Sequence, residues 1–322
     1  MLKDYRINFR PMVYDKALEF NKAQASHQWT ADQIEVDGDL MQYHTEFTDS
    51  EKHGINTVLK LFTLYEIHVN NYWIDVVYRN FPQHEIRMAA TTFAAIESQH
   101  GLFYDKVNKG LGLSSKEFHL SFLEDPDMKE RHEFIGRSLA LGNSGNDEDL
   151  AVSLATFTFI EGVILYSSFA FLISFQHSPK DKLKNTFTGL SYSVRDEALH
   201  ADFGSWLFNT FTKEYGISME SIKDRIVDIA EQSLKVEEKI IDNIFSAGKI
   251  EGITDTQLKN FVKSRINKKL KDIGIDPIYE VSYNPVASWF YKKINQIELT
   301  DFFDRSPTAY TNNWNFGKVK QW

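Results

Sequence analysis

The chain has 322 residues, 42% of them hydrophobic and 14% aromatic, which is apolar material for one large core or two ordinary ones. A formal charge of −9, from 36 basic against 45 acidic side chains, disfavours nonspecific attraction to nucleic acid or to an anionic membrane surface. The absence of cysteine excludes disulfides, thiolate metal sites and thiol nucleophiles, and leaves Asp, Glu and His to hold any metal.

The first twenty residues, MLKDYRINFRPMVYDKALEF, lack the continuous apolar run of a signal peptide, so a cytoplasmic protein is expected. Residues 1–50 read as a less regular N-terminal arm with a first helix. Beyond them, seven prolines and few Asn-Gly or Asp-Gly turns leave long segments in which apolar residues recur every three or four positions, the helical period. Helices are expected over 51–80, 83–109, 117–141, 149–176, 182–215, 217–246 and 254–273, with breaks at Pro82, at Gly110 and Gly112, and between Gly142 and Asp149. In the sixth, Ile222, Ile226 and Ile229 share one side and Lys223, Asp224 and Asp228 lie off it. The densest basic run, KSRINKKLKD from Lys263 to Asp272, is interrupted by apolar residues at helical spacing and reads as a solvated helix face. The final stretch, DRSPTAYTNNWNFGKVKQW, is polar, short of aliphatics and dotted with aromatics, the composition of a mobile tail. The expected class is therefore all-α, with one helical domain over 51–300 and a flexible tail over 301–322.

The fourth helix differs from the rest. From Leu150 to Gln176 it runs LAVSLATFTFIEGVILYSSFAFLISFQ, with Glu161 its only charged residue and no polar face. An ionised carboxylate in such a setting is expensive unless it is neutralised or faces positive charge. The segment is long enough to span a bilayer. Its central Glu, its isolation, the lack of Lys or Arg on its N-terminal flank and a mean hydropathy of −0.38 for the chain favour a buried helix over a membrane span.

Two Glu-x-x-His sequences occur, Glu97 to His100 in AAIESQHGLFY and Glu197 to His200 in VRDEALHADF, both within expected helices. At that spacing the two side chains leave one helix face and can bind a common cation. Each pair follows a helix carrying a Glu in apolar surroundings, Glu66 in KLFTLYEIHVNNYW and Glu161. Taken singly, His100 or His200 is more often a satisfied core histidine, and Glu66 an ordinary polar-face residue beside His68; the repetition carries the metal reading. One Glu from each of two helices and Glu-x-x-His from each of two others is the pattern by which a four-helix bundle holds two metal ions. Four carboxylates and two neutral imidazoles balance two divalent cations, which answers the burial problem of Glu161. Oxygen-rich ligation favours iron or manganese over zinc, and with them redox chemistry on oxygen or a reduced oxygen species.

These residues resemble the small, radical-generating subunit of class I ribonucleotide reductase. RDEALH at Arg195–His200 is the most specific match and EGVILYSSF at Glu161–Phe169 the second; the likeness runs from about Trp29 to His200 and loosely through the tail. The resemblance implies a ferritin-like helical bundle with extra helices, a homodimer, and a dinuclear metal centre on Glu66, Glu97, His100, Glu161, Glu197 and His200. The radical-bearing tyrosine falls on Tyr104, which shares one helix side with Glu97 and His100. It further implies transfer of a hole to a large catalytic subunit, where ribonucleotides are reduced for DNA synthesis. The relay falls on Trp29 near the surface, on Asp196 bridging it to His100, and on Tyr310, the lone tyrosine of the tail, at the subunit contact. The missing cysteines fit, because the reducing thiols then lie on the partner.

The sequence departs from the family in places. Glu66 stands where tyrosyl-radical members usually have Asp, and Leu165 and Ser193 stand near Tyr104 where larger apolar groups are common. Glu at the first position resembles the branches that store the oxidising equivalent in the metals, and its combination with a retained Tyr104 resembles the dimanganese branch activated by superoxide; di-iron and manganese-iron centres are the alternatives. Two other functions fit the bundle: a stand-alone dimetal oxidase or oxygenase, and a ferritin-like metal store.

Overall fold

The computed structural model describes residues 1–177 and 180–304, and no strand occurs among them. The arm is more helical than expected. It contains α1 (Asp15–Ser26) and α2 (Asp37–Glu46), and its first residues are tied down by Glu85, which accepts from the backbone N–H of Val13 and Tyr14 and pairs with Arg6 at 2.5 Å.

Local chemistry sets the helix boundaries. α3 (Asp49–Tyr72) opens on a reciprocal cap in which Thr48 Oγ1 accepts from the Glu51 N–H and the Glu51 carboxylate accepts from the Thr48 N–H. α4 (His84–Gly110) follows Pro82. The single helix expected over 117–141 is instead divided into α5 (Lys116–Leu120), a 3-10 turn and α6 (Pro126–Ala140), because Pro126 has no N–H for a preceding turn and sits at the first position of a new helix capped by Asp125. α7 (Asp147–Phe159) begins where Asn146 accepts from the N–H groups of Glu148 and Asp149. A π-helical turn (Ile160–Ile164) joins it to α8 (Leu165–Ile173). α9 (Lys184–Tyr215) ends at Gly216, whose φ of 63° suits a residue without a Cβ. α10 (Met219–Ile244) and α11 (Asp255–Asp272) match expectation closely, whereas α12 (Pro285–Asp304) was not anticipated and extends through residues 301–304. The rest of the tail lies outside the described residues.

α3 packs along α4, α7 along α9, and α4 touches α9, so the helices carrying the Glu and His residues form one bundle. α10 crosses α3, α6 and α7; α11 covers the π turn and α8; α1 lies on α4 and α9. The α7–α8 segment is thereby enclosed on all sides, and every residue from Leu150 to Gln176 is buried. Residues 147–176 are long and apolar enough to cross a membrane by length and composition, and their most apolar eighteen-residue window lies wholly inside the protein. An apolar surface all round the helix matches burial all round it.

The basic run on α11 departs from the expected solvated face. Arg265 and Lys269 are buried and turned toward the bundle, while Lys268 stays outside. Trp29 also departs: at 4% exposure it is inside, against Phe103, Tyr192 and His100, rather than near the surface.

Candidate metal centre

The six expected metal-binding residues come together from four segments. α3 supplies Glu66, α4 supplies Glu97 and His100, the π turn supplies Glu161, and α9 supplies Glu197 and His200. None is more than 2% exposed. Their ligand atoms form two groups, Glu66–Glu97–His100–Glu197 and Glu97–Glu161–Glu197–His200, each within 4.8 Å. Glu97 and Glu197 belong to both. Each group thus has one histidine, one glutamate of its own and two shared carboxylates.

The histidines point the same ring nitrogen inward. His100 Nδ1 lies 2.9 Å from Glu97 and 3.1 Å from Glu197, and His200 Nδ1 lies 2.7 Å from Glu97 and 3.3 Å from Glu197. These approaches lack hydrogen-bond geometry: both oxygens of Glu66, Glu97, Glu161 and Glu197 and both Nδ1 atoms are buried without a partner. Ten converging atoms that repel one another when all carry lone pairs are costly to bury, and cations relieve the cost.

Outside this ring the Nε2 atoms are occupied. His100 Nε2 lies 3.2 Å from Asp196 Oδ2, and His200 Nε2 lies 3.1 Å from Gln24 Oε1. Gln24 Nε2 donates to Asp196 Oδ1 at 3.0 Å, and Trp29 Nε1 donates to Asp196 Oδ2 at 2.8 Å. Asp196 and Gln24 link the two histidines, place the proton on Nε2 and leave Nδ1 to face the carboxylates. Asp196 therefore stands between Trp29 and His100, whose rings stack at 5.6 Å. Gln24, from the arm, was missed by sequence reasoning; nothing in KAQASHQW marks it.

Burial raises Glu66 and Glu161 well above the usual carboxylate range, with like charges adding to it at Glu161. Burial also opposes charge on Glu97 and His200, but their mutual attraction prevails, holding Glu97 down and lifting His200 to about 9.

Tyr104 is fully buried, 4.5 Å from the ring of Phe62 and 5.2 Å from that of Phe103. Its hydroxyl and that of Ser193 complete no hydrogen bond, and burial, then Glu66, keeps the phenol protonated. Leu165 and Ser193 are both buried. A cavity of about 670 Å³ between α3 and α4 reaches Glu66 and Glu97 from a rim that includes the exposed Ile67 and Leu102. Tyr310 lies outside the described residues.

A family model described as the small chain of ribonucleotide reductase matches residues 6–285. A probable ribonucleoside-diphosphate reductase small subunit of Invertebrate iridescent virus 3 is 28% identical across 96% of this chain and 86% of its own. The ribonucleoside-diphosphate reductase subunit beta of Chlamydia pneumoniae is 22% identical across 93% and 88%. Among solved structures, a putative class I ribonucleotide reductase from Bacillus halodurans superimposes with a TM-score of 0.81 at 21% identity, over 87% of this chain and 99% of that one. The dimanganese(II)-NrdF of Streptococcus sanguinis gives 0.76 at 18% identity, over 88% and 98%.

Proposed function

The chain belongs to the ribonucleotide reductase small-chain family, and from that premise we propose that Glu66, Glu97, His100, Glu161, Glu197 and His200 are the ligands of its dinuclear metal site. The protein is a ribonucleoside-diphosphate reductase small subunit, an oxidoreductase component that works with a large subunit. One observation carries the ligand set: ten buried, unpartnered donor atoms converge on two adjacent positions that share Glu97 and Glu197. When bound, the redox-active metal pair supplies the oxidising equivalent that the large subunit uses to begin reduction of its substrate.

The chain's own residues prepare the site for that chemistry. Asp196 and Gln24 orient the two imidazoles and hold their outer protons. The apolar α7–α8 segment and the rings of Phe62 and Phe103 keep water from Tyr104, and the cavity between α3 and α4 gives small reactants a way in. The hydrogen bonds joining Trp29, Asp196 and His100 form the inner part of a path for the hole, and Tyr310 is its carrier toward the large subunit through the tail.

The metal pair we favour is dimanganese, because Glu66 occupies the first ligand position while Tyr104 is retained; Tyr104 is then a metal-proximal phenol rather than the stored radical. The test is metal analysis with electron paramagnetic resonance after loading with manganese or iron and exposure to oxygen or superoxide, alongside turnover with the large subunit. Two manganese per chain and no stable tyrosyl signal is the expected result. A stable tyrosyl signal that disappears in Tyr104→Phe overturns the dimanganese assignment, and full activity of Glu161→Ala overturns the ligand set.

A further inference from the structure

The π turn Ile160–Ile164 interrupts the most buried helix of the molecule at the residue that enters the metal site. A π turn displaces backbone carbonyls from their α-helical donors, and in a fully buried segment each such oxygen needs another. Three side chains from three other helices donate to carbonyls of this turn. The Tyr65 hydroxyl of α3 donates to Ile160 O at 2.7 Å, Arg265 Nε of α11 to Gly162 O at 2.8 Å, and Arg131 Nη2 of α6 to Ile164 O at 3.2 Å. The accepting carbonyls lie just before and after Glu161.

Each arginine is itself held. Arg131 Nε pairs with Glu237 at 2.5 Å, and the other Glu237 oxygen accepts from Ser167 at 2.6 Å. Arg265 Nη1 donates to the Tyr291 hydroxyl at 2.6 Å, and its guanidinium lies 3.7 Å from the centre of the Tyr166 ring. Gly162 permits this approach, since a Cβ there would fall 2.6 Å from Lys269 Cε on the same face of α11. Burying a guanidinium is a poor way to gain stability, because desolvation offsets most of the attraction. Two of them directed at one turn serve its shape.

We propose that Tyr65, Arg131 and Arg265 are positioning residues that hold the π turn open, so that Glu161 presents its carboxylate beside Glu97, Glu197 and His200. This rests on the metal-site reading, and Mn(II) binding to the full chain separates the two. The parent should take two equivalents and Glu161→Ala one; equal uptake by both would defeat the ligand reading itself. Against that background, Tyr65→Phe, Arg265→Met and the double variant Arg131→Met/Glu237→Met should bind the equivalent that Glu161→Ala loses about 10–100-fold more weakly, the usual effect of removing an outer support of a ligand. The other equivalent should bind as in the parent. A purely structural role would weaken both equivalents or neither, so either of those outcomes, in variants with parental helicity by circular dichroism, overturns the proposal. Should the arginine variants fail to fold, Tyr65→Phe decides, because it deletes one hydroxyl and no packing.

Discussion

Replacing Arg131 with Met should be among the most destabilising single changes outside the metal site. Arg131 and Glu237 are 2% and 0% exposed, so the variant strands a carboxylate in the core with only the Ser167 hydroxyl, and leaves Ile164 O without its donor. Breaking a buried pair from one side costs about 3–5 kcal/mol. In Arg131→Met/Glu237→Met no charge is left behind; the stranded Ser167 hydroxyl and Ile164 carbonyl cost about 1–3 kcal/mol each at most, and the new methionine packing offsets part of it. The double variant should therefore recover much of the loss. The single variant has a pH signature. Burial already raises Glu237 above 4.5 even with Arg131 present, and without it the rise is larger. A carboxylic acid that holds its proton more tightly when folded favours the folded state less as pH rises above its unfolded value, so the deficit should deepen from pH 5 to pH 8. Urea unfolding followed by circular dichroism at the two pH values measures this. A single-variant loss under about 1 kcal/mol, or a double variant no better than the single, refutes the reasoning.

The shared positions of Glu97 and Glu197 predict that alanine at either one abolishes both metal equivalents, whereas Glu66→Ala and Glu161→Ala each lose one; metal analysis of the purified variants distinguishes this from six equivalent ligands. Gln24→Leu removes the acceptor for His200 Nε2 and a donor to Asp196, and should weaken Mn(II) binding on the His200 side about 10-fold or more without loss of helix. Unchanged affinity there would mean that Gln24 does not orient the ring. Glu85 opposes its own burial through Arg6 and the N–H groups of Val13 and Tyr14, which hold it down to about 2. A carboxylate lowered in the folded state contributes fully above about 4.5 and loses that contribution as pH falls toward about 2, so amides of residues 1–14 should lose hydrogen-exchange protection across that window. In Glu85→Gln they should be weakly protected already at pH 7, and an arm equally protected at pH 3 and pH 7 in the parent contradicts the assignment.

The helical class and most of the metal-site constellation were legible in the sequence because they depend on short-range geometry. A 3.6-residue period places apolar residues on one side whatever the partner helix is, and Glu-x-x-His puts two donors on one face in any α-helix. Glu161 was conspicuous because a single carboxylate in an apolar helix has few inexpensive explanations. The division of α5 from α6 was also available, through Pro126, but helical periodicity on either side of it masked the break. One helix was expected in the arm where α1 and α2 both form, and α12 escaped altogether, because the apolar faces of these helices are weak.

What tertiary structure alone decided is how charges far apart in the chain are arranged around one another. Glu97 and Glu197 have the same local signature as the other candidate ligands; only the meeting of α4 with α9 makes them common to both groups. Gln24 has no signature at all, and it links two histidines because α1 lies across α4 and α9. Arg265 sits in a run that reads as a solvated helix face, yet it and Arg131 both turn inward to carbonyls of the π turn. An arginine's place is settled by the acceptors it finds, and those acceptors exist only after the helix around Glu161 has been packed.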